Sequence, residues 1–250
     1  MSVTSSTHFK NLNKAYNAVG NSTWCAEDFL ESNLDISKKL FTPESLVIGE
    51  PLPKKFEVYA LLSGLSFPAE FSQKLVQIQR QISYILDDCL HYWVKPKNLG
   101  LEYCVFKWPE GALSISDIES IQSAISSKLH PSFTFSIYGV QINPDGCVVA
   151  KGYDHDAALF QIRDYIKNKI SFLPKKQSGW AHVPLGRILA PVGSERFIQL
   201  SKLINSLSNK LIVATEITSM KFVHETRWYM EEKSIISEYP LNPLVDEVVS

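Results

Sequence analysis

Apolar positions from residue 56 onward alternate between two periods, and the points where the period changes divide the chain into strands and helices. Phe56-Glu57-Val58-Tyr59-Ala60-Leu61-Leu62 reads as a short buried strand. After Pro68, residues Phe71, Leu75, Ile78, Ile82 and Ile85 recur at spacings of 4, 3, 4 and 3, the mark of an amphipathic helix. Leu101 to Trp108 is a second strand. Ser114-Ile115-Ser116-Asp117 is a capping box ahead of Ile118, Ile121, Ile125 and Leu129 at helical spacing. The pattern then changes to period two at Phe133, Phe135 and Ile137. The turn Asn143-Pro144-Asp145-Gly146 and the run Cys147 to Ala150 complete a hairpin.

Asp156 stands where an N-cap would open a third helix carrying Leu159, Ile162, Ile166 and Ile170. His182 to Leu189 is a strand, and a helix with Phe197, Leu200 and Ile204 follows it. Leu211 to Glu216, Met220 to Met230 and Ser234 to Tyr239 close the chain as β segments. The hairpin argues for antiparallel pairing, so the expected class is α+β rather than a doubly wound sheet.

Residues 1–53 carry polar runs and only short amphipathic pieces around Phe29, Leu34, Ile36 and Leu40, ending at Glu50-Pro51-Leu52-Pro53. They are expected to form an N-terminal extension packed on a main domain of residues 54–241, with 242–250 as a C-terminal tail. Composition removes several classes. The 250 residues are 45% hydrophobic and carry 25 Lys+Arg against 26 Asp+Glu, which speaks against disorder and against a strongly basic nucleic-acid binder. Cys25, Cys89, Cys104 and Cys147 are dispersed without a zinc spacing and read as reduced thiols. No apolar run is long enough to span a bilayer, and the N-terminus lacks a signal-peptide pattern, so a cytoplasmic protein without membrane association is expected. Neither G-x-G-x-x-G nor a P-loop occurs.

Two stretches occupy similar places. Trp93-Val94-Lys95-Pro96-Lys97-Asn98-Leu99-Gly100-Leu101-Glu102 follows the first helix, and Gly179-Trp180-Ala181-His182-Val183-Pro184-Leu185-Gly186-Arg187 follows the third. Each leads into a strand and then a helix, which suggests two similar lobes across a cleft. In these motifs the chain resembles the 2H phosphoesterase superfamily of RNA-ligase-like cyclic phosphodiesterases. V-K-P-K-N-L-G-L-E stands where that family has V-K-P-x-N-L-H-x-T, and H-V-P-L-G-R stands where it has H-x-T-L-G-R. The resemblance covers about residues 54–241. It implies two pseudo-symmetric lobes, each an antiparallel sheet with helices on its outer face.

It also implies an altered chemistry. The family's two histidines act as general base and general acid, and its paired hydroxyls bind phosphate oxygens. Gly100 replaces the first histidine, Glu102 and Pro184 replace the hydroxyls, and His182 alone remains. The expected function is a degenerate, non-catalytic binding or interaction module. The alternative is a phosphodiesterase acting on a cyclic phosphate or RNA end through His182, with Glu102 as partner base. Gly100, Pro184, Thr226 and Trp228 are the expected substrate-contacting positions. The implied ligand is a phosphorylated small molecule, a nucleotide or an RNA end, and residues 1–53 could engage a protein; no cofactor or metal is expected.

Other residues read more plainly. Arg187 could hold an anion, but it lies five residues after His182, so a regular strand turns it to the opposite face, toward packing or a surface ion pair, unless a bulge intervenes. His91 is a weak substitute for the missing histidine, and Asp154-His155-Asp156 reads as a helix start rather than a metal cluster. In His224-Glu225-Thr226-Arg227-Trp228-Tyr229, the alternating members His224, Thr226 and Trp228 are the expected cleft contacts. Trp93, Trp108, Trp180, Trp228 and Tyr229 are possible stacking surfaces, though aromatics at strand ends more commonly serve packing.

Overall fold

The computed structural model describes residues 6–243. Its two antiparallel sheets face each other. One contains β1 (Lys55–Gly64), β3 (Gly100–Lys107), β8 (Ser219–Arg227) and β9 (Glu232–Pro240), in the order β3-β1-β8-β9. The other contains β2 (His91–Trp93), β4 (Phe133–Ile142), β5 (Cys147–Asp154), β6 (His182–Ile188) and β7 (Leu211–Ile217), in the order β2-β6-β5-β4-β7. Helices α4 (Ala69–Leu86) and α7 (Ser194–Leu207) pack on the five-stranded sheet. Helices α5 (Ile115–Ser126) and α6 (Ala158–Lys169) pack against the four-stranded one. This is the α+β, two-lobed arrangement expected from the pattern.

The local signals act as expected in most places. Phe71, Leu75, Ile78 and Ile82 form the buried face of α4. The capping box forms: Asp117 N donates to Ser114 Oγ at 3.1 Å, and Ser114 N donates to Asp117 Oδ2 at 2.8 Å. The 143–146 turn requires its glycine. Gly146 has φ +80°, and a Cβ there would lie 2.1 Å from the carbonyl oxygen of Ile188.

Three features differ from expectation. Strand β2 is only three residues long, too short for a periodicity to reveal it. Asp156 does not cap α6. The backbone turns left-handed at Ala157 (φ 54°), which aims Asp154 instead at the helix start, where its Oδ2 accepts from Leu159 N at 3.1 Å. Asp156 is exposed and pairs with His155 at 2.6 Å.

The third difference is at the N-terminus, where Thr7–Thr23 forms one continuous helix, α1, capped by Ser6. Two short helices, α2 (Glu31–Lys38) and α3 (Pro43–Val47), follow. The polar residues of α1 hid a narrow apolar stripe of Phe9, Leu12 and Tyr16, all buried. The Tyr16 hydroxyl donates to the Gly152 carbonyl at 3.3 Å and accepts from Ala181 N at 3.1 Å. Thr23 Oγ1 donates to the Ile142 carbonyl at 2.7 Å. Lys151 Nζ reaches Asn17 of α1 at 3.4 Å, and Lys151 stands opposite His182 in the β5–β6 ladder. Opposed residues share a face, so α1 lies on the sheet face that carries His182. Leu52 and Pro53 fold back on residues 40–42: Thr42 N donates to Leu52 O at 2.9 Å and Lys54 N to Leu40 O at 2.8 Å.

No helix among the described residues is long and apolar enough to cross a membrane. Of the expected 242–250 tail, residues 244–250 lie outside the described residues.

Candidate functional site

Strands β3 and β6 enter the space between the sheets from opposite lobes. Gly100 is the first residue of β3 and His182 the first of β6, and exposure alternates identically over the first four residues of each. Gly100, Glu102, His182 and Pro184 are partly exposed, whereas Leu101, Tyr103, Val183 and Leu185 are buried. All four partly exposed residues line one cleft of about 180 Å³. Its walls are largely apolar, built from Val58, Ala60 and Leu62 of β1, Val105 and Trp108 after the β3 motif, and Trp228 and Met230 of the β8–β9 hairpin.

No protein-family model and no curated protein matches the sequence. Solved structures do. TT0787 from Thermus thermophilus aligns with a TM-score of 0.57 at 12% identity, spanning 75% of this chain and 100% of that one. LigT from E. coli in apo form gives 0.54 at 11% identity, over 76% and 99% of the two chains. LigT complexed with 3'-AMP gives 0.51 at 12% identity, over 75% and 99%. The chain shares the fold of TT0787 and LigT.

Among the described residues, one imidazole, that of His182, lines the cleft. Burial first, and then Arg163 and Arg187, push the His182 pKa down to about 4, so the ring is neutral at pH 7. Its Nδ1 is buried without a hydrogen-bond partner. The Glu102 carboxyl accepts no hydrogen bond from the described residues. Burial raises its pKa, and Arg163 partly opposes the rise.

Glu225 is the site residue that sequence reasoning missed. It lines the cleft at 5% exposure, and burial, with Glu102 adding repulsion, lifts its pKa to about 7. Its Oε1 accepts from Met230 N at 2.7 Å. The expected parity of this strand was inverted. Val58 pairs with Glu225 and Tyr59 with His224, so the face of β1 that lines the cleft selects the odd members of β8. His224 turns outward, stacks on Tyr59 at 4.3 Å and meets Glu57 at 3.1 Å. Thr226 is likewise outside the cleft, its hydroxyl directed to Glu232 O at 3.4 Å. Met220 and Phe222, buried in the main core, were the signal for this parity. Trp228 does reach the cleft, because the ladder shifts register between Glu225 and Arg227.

A second irregularity corrects Arg187. The β5–β6 ladder shifts register between Val148 and Val149, so β6 bulges and Arg187 reaches the same cleft as His182. Two of its nitrogens are committed. Nε donates to Tyr229 OH at 2.7 Å, and Nη1 donates to Asp145 Oδ2 at 2.7 Å and Ser37 Oγ at 2.8 Å. Arg163 of α6 binds main chain from both lobes. It donates to the carbonyls of Tyr103 at 2.8 Å, Glu102 at 2.7 Å and Trp180 at 2.7 Å.

The hairpin tip also ties the lobes together. Tyr229 and Met230 both adopt left-handed backbone, with φ 62° and 58°. Next to them Glu231 accepts from Tyr92 OH at 2.6 Å and Lys95 Nζ at 2.7 Å. Such paired strain persists only where surrounding contacts impose it. His91 stays outside the cleft, its Nδ1 2.6 Å from the Cys89 carbonyl oxygen. Of the expected aromatic surfaces, Trp108, Trp228 and Tyr229 line the cleft and Trp93 and Trp180 do not. Among the described residues no group of three His, Cys, Asp or Glu side chains is placed to hold a metal.

Proposed function

We propose that this chain is a non-catalytic binding module for a nucleotide-type ligand, built on a 2H phosphoesterase frame of residues 54–241 with 1–53 as an extension. The observation that carries this reading is the pairing of Gly100 with His182 at the starts of β3 and β6. In-line displacement at phosphorus needs a proton acceptor and a proton donor on opposite sides, and a positioned group of this kind contributes about 10²–10⁴ in rate. The neutral His182 is a weak base here, and no second imidazole faces it. Pro184 and Glu102 supply no hydroxyl to hold phosphate oxygens. The structures of LigT complexed with phosphate and with 3'-AMP make a nucleotide the first ligand class to test.

The second reading is a phosphodiesterase using His182 with a carboxylate partner. Glu225, with a pKa of about 7, favours it over Glu102 alone, because a group titrating there can both give and take a proton at neutral pH. A turnover screen with nucleoside 2',3'-cyclic phosphates and cyclic-phosphate-ended RNA separates the two. The binding reading expects no hydrolysis above background. Hydrolysis that disappears in His182→Ala would overturn it.

A further inference from the structure

The cleft's charges and hydrogen-bonding groups specify more than a nucleotide in general. Its cations are engaged in part by the protein itself. Arg187 is held by Asp145, Ser37 and Tyr229 through Nε and Nη1, and Arg163 lies behind the lining with Nε and Nη2 on backbone carbonyls and Nη1 buried without a partner among the described residues. Lys233 donates to Asn98 Oδ1 at 2.8 Å and to Met230 O at 2.9 Å. A phosphate entering here meets cations whose charge is already shared with protein partners. A ligand cation meets less charge than two free carboxylates would offer, because burial raises the pKa of Glu102 and of Glu225, with Arg163 and Lys233 opposing the rise only in part.

What the cleft does offer is a set of unfilled polar positions beside an aromatic wall. Glu102 and the second oxygen of Glu225 accept nothing from the described residues. Asn98, 3% exposed, lines the same cleft with its Nδ2 buried and unpartnered. Because Lys233 occupies Asn98 Oδ1, the amide orientation is fixed and the free group is a donor. Trp108 and Trp228 stand beside these groups with ring centroids 6.3 Å apart. Acceptors, one donor and aromatic surface together match an uncharged planar heterocycle, read along one edge and packed against indole.

We propose that the cleft binds a purine base of the 2-amino-6-oxo type, its N–H edge on Glu102 and Glu225 and its carbonyl on Asn98, with no phosphate recognition. The proposal rests on the nucleotide-type reading above and narrows it to the base. Adjacent N1–H and 2-amino donors suit carboxyl acceptors, and the 6-oxo group suits an amide donor.

Isothermal titration calorimetry of the full chain with guanosine, 1-methylguanosine, inosine, guanosine 3'-monophosphate, 3'-AMP and inorganic phosphate tests it. Guanosine is expected to bind. Removing one donor, as in 1-methylguanosine or inosine, should weaken binding by about tenfold or more. The 3'-phosphate should add less than about twofold, within the noise of a contact that is not made. The variant E102Q/E225Q, checked for fold by circular dichroism, should lose guanosine affinity by at least about tenfold.

Equal affinity for guanosine and 1-methylguanosine would overturn the inference, as would affinity that depends on the phosphate. If 3'-AMP or phosphate binds and guanosine does not, the base inference falls and the nucleotide reading stands. If none of the six binds, both fall. Guanosine binding alongside His182-dependent turnover would instead remove only the non-catalytic reading.

Discussion

From the four-stranded lobe, β3 presents Gly100 and Glu102 to the cleft; from the five-stranded lobe, β6 presents His182 and Pro184. The two strands begin with the same alternation of exposed and buried positions, yet they deliver no functional group in common. Their surroundings differ too. The five-stranded lobe is braced on the His182 face by α1, which satisfies the Gly152 carbonyl and the Ala181 amide through Tyr16. The four-stranded lobe keeps its cleft face open and supplies both carboxyls. The comparison teaches that backbone symmetry and chemical symmetry are separable: the first is set by buried residues, the second by a few partly exposed ones.

The largest effect should come from restoring chemical symmetry. At Gly100 an added Cβ would come no closer than 3.5 Å to its neighbours, so the strand accepts a side chain there. E102T/P184T should remain inactive toward cyclic phosphates, because the histidine at the start of β3 is still missing. Adding Gly100→His should raise hydrolysis over that double variant by about 10²-fold or more, measured as initial rates. Robust hydrolysis by the double variant alone would show that the missing imidazole is not the deficit.

A break at the junction of the lobes comes next. Arg187→Met removes the cation that joins β6 to Tyr229 of the hairpin and to Asp145, leaving a half-buried carboxylate unpaired. The expected loss is about 3–5 kcal/mol in denaturant unfolding. An unchanged midpoint would show that Asp145 finds water instead.

The comparison can be sharpened by pH. His182 titrates at about 4 in the fold against an ordinary 6.5, so folding favours its neutral form. Stability is therefore full above pH 6.5 and declines as pH falls toward 4, by about 3 kcal/mol for this group. His182→Gln should flatten that limb of the pH–stability curve. Glu225 acts in the opposite sense. Its pKa rises from 4.5 to about 7, so its contribution is present below 4.5 and is lost as pH climbs through 7. Glu225→Gln, which keeps an acceptor for Met230 N, should therefore raise the thermal midpoint at pH 8 and leave it nearly unchanged at pH 4.

The smallest effect tests the brace. Tyr16→Phe leaves the Ala181 amide and the Gly152 carbonyl without their shared hydroxyl, at a cost of about 1–2 kcal/mol. Hydrogen exchange should speed at Ala181 and leave β3 untouched.

The sequence made most of the frame legible because the signals were local and repeated, as in the 4-3 spacing of α4 and the Ser114–Asp117 box. The positions of Gly100, Glu102, His182 and Pro184 followed from the two motifs. Arg187, read as off the cleft unless a bulge intervenes, and Glu225 show two ways in which counting along a strand fails. Facing is counted by twos along an ideal strand, and one register shift between β5 and β6 reverses the count at Arg187. At Glu225 the count began from the wrong member, although buried Met220 and Phe222 marked the core-facing parity. Helix α1 was hidden for a different reason: its apolar stripe is three residues wide among polar ones, and its stability comes from the sheet it covers.

Arg163 binds the lobes through three carbonyl oxygens, at Glu102, Tyr103 and Trp180. A carbonyl oxygen is present whatever side chain its residue bears. Substitution at position 102 can therefore exchange a hydroxyl for a carboxyl without unfastening the clamp that sets the distance between strands. A fold held in this way lets its cleft residues drift under selection for new ligands while the aperture stays constant.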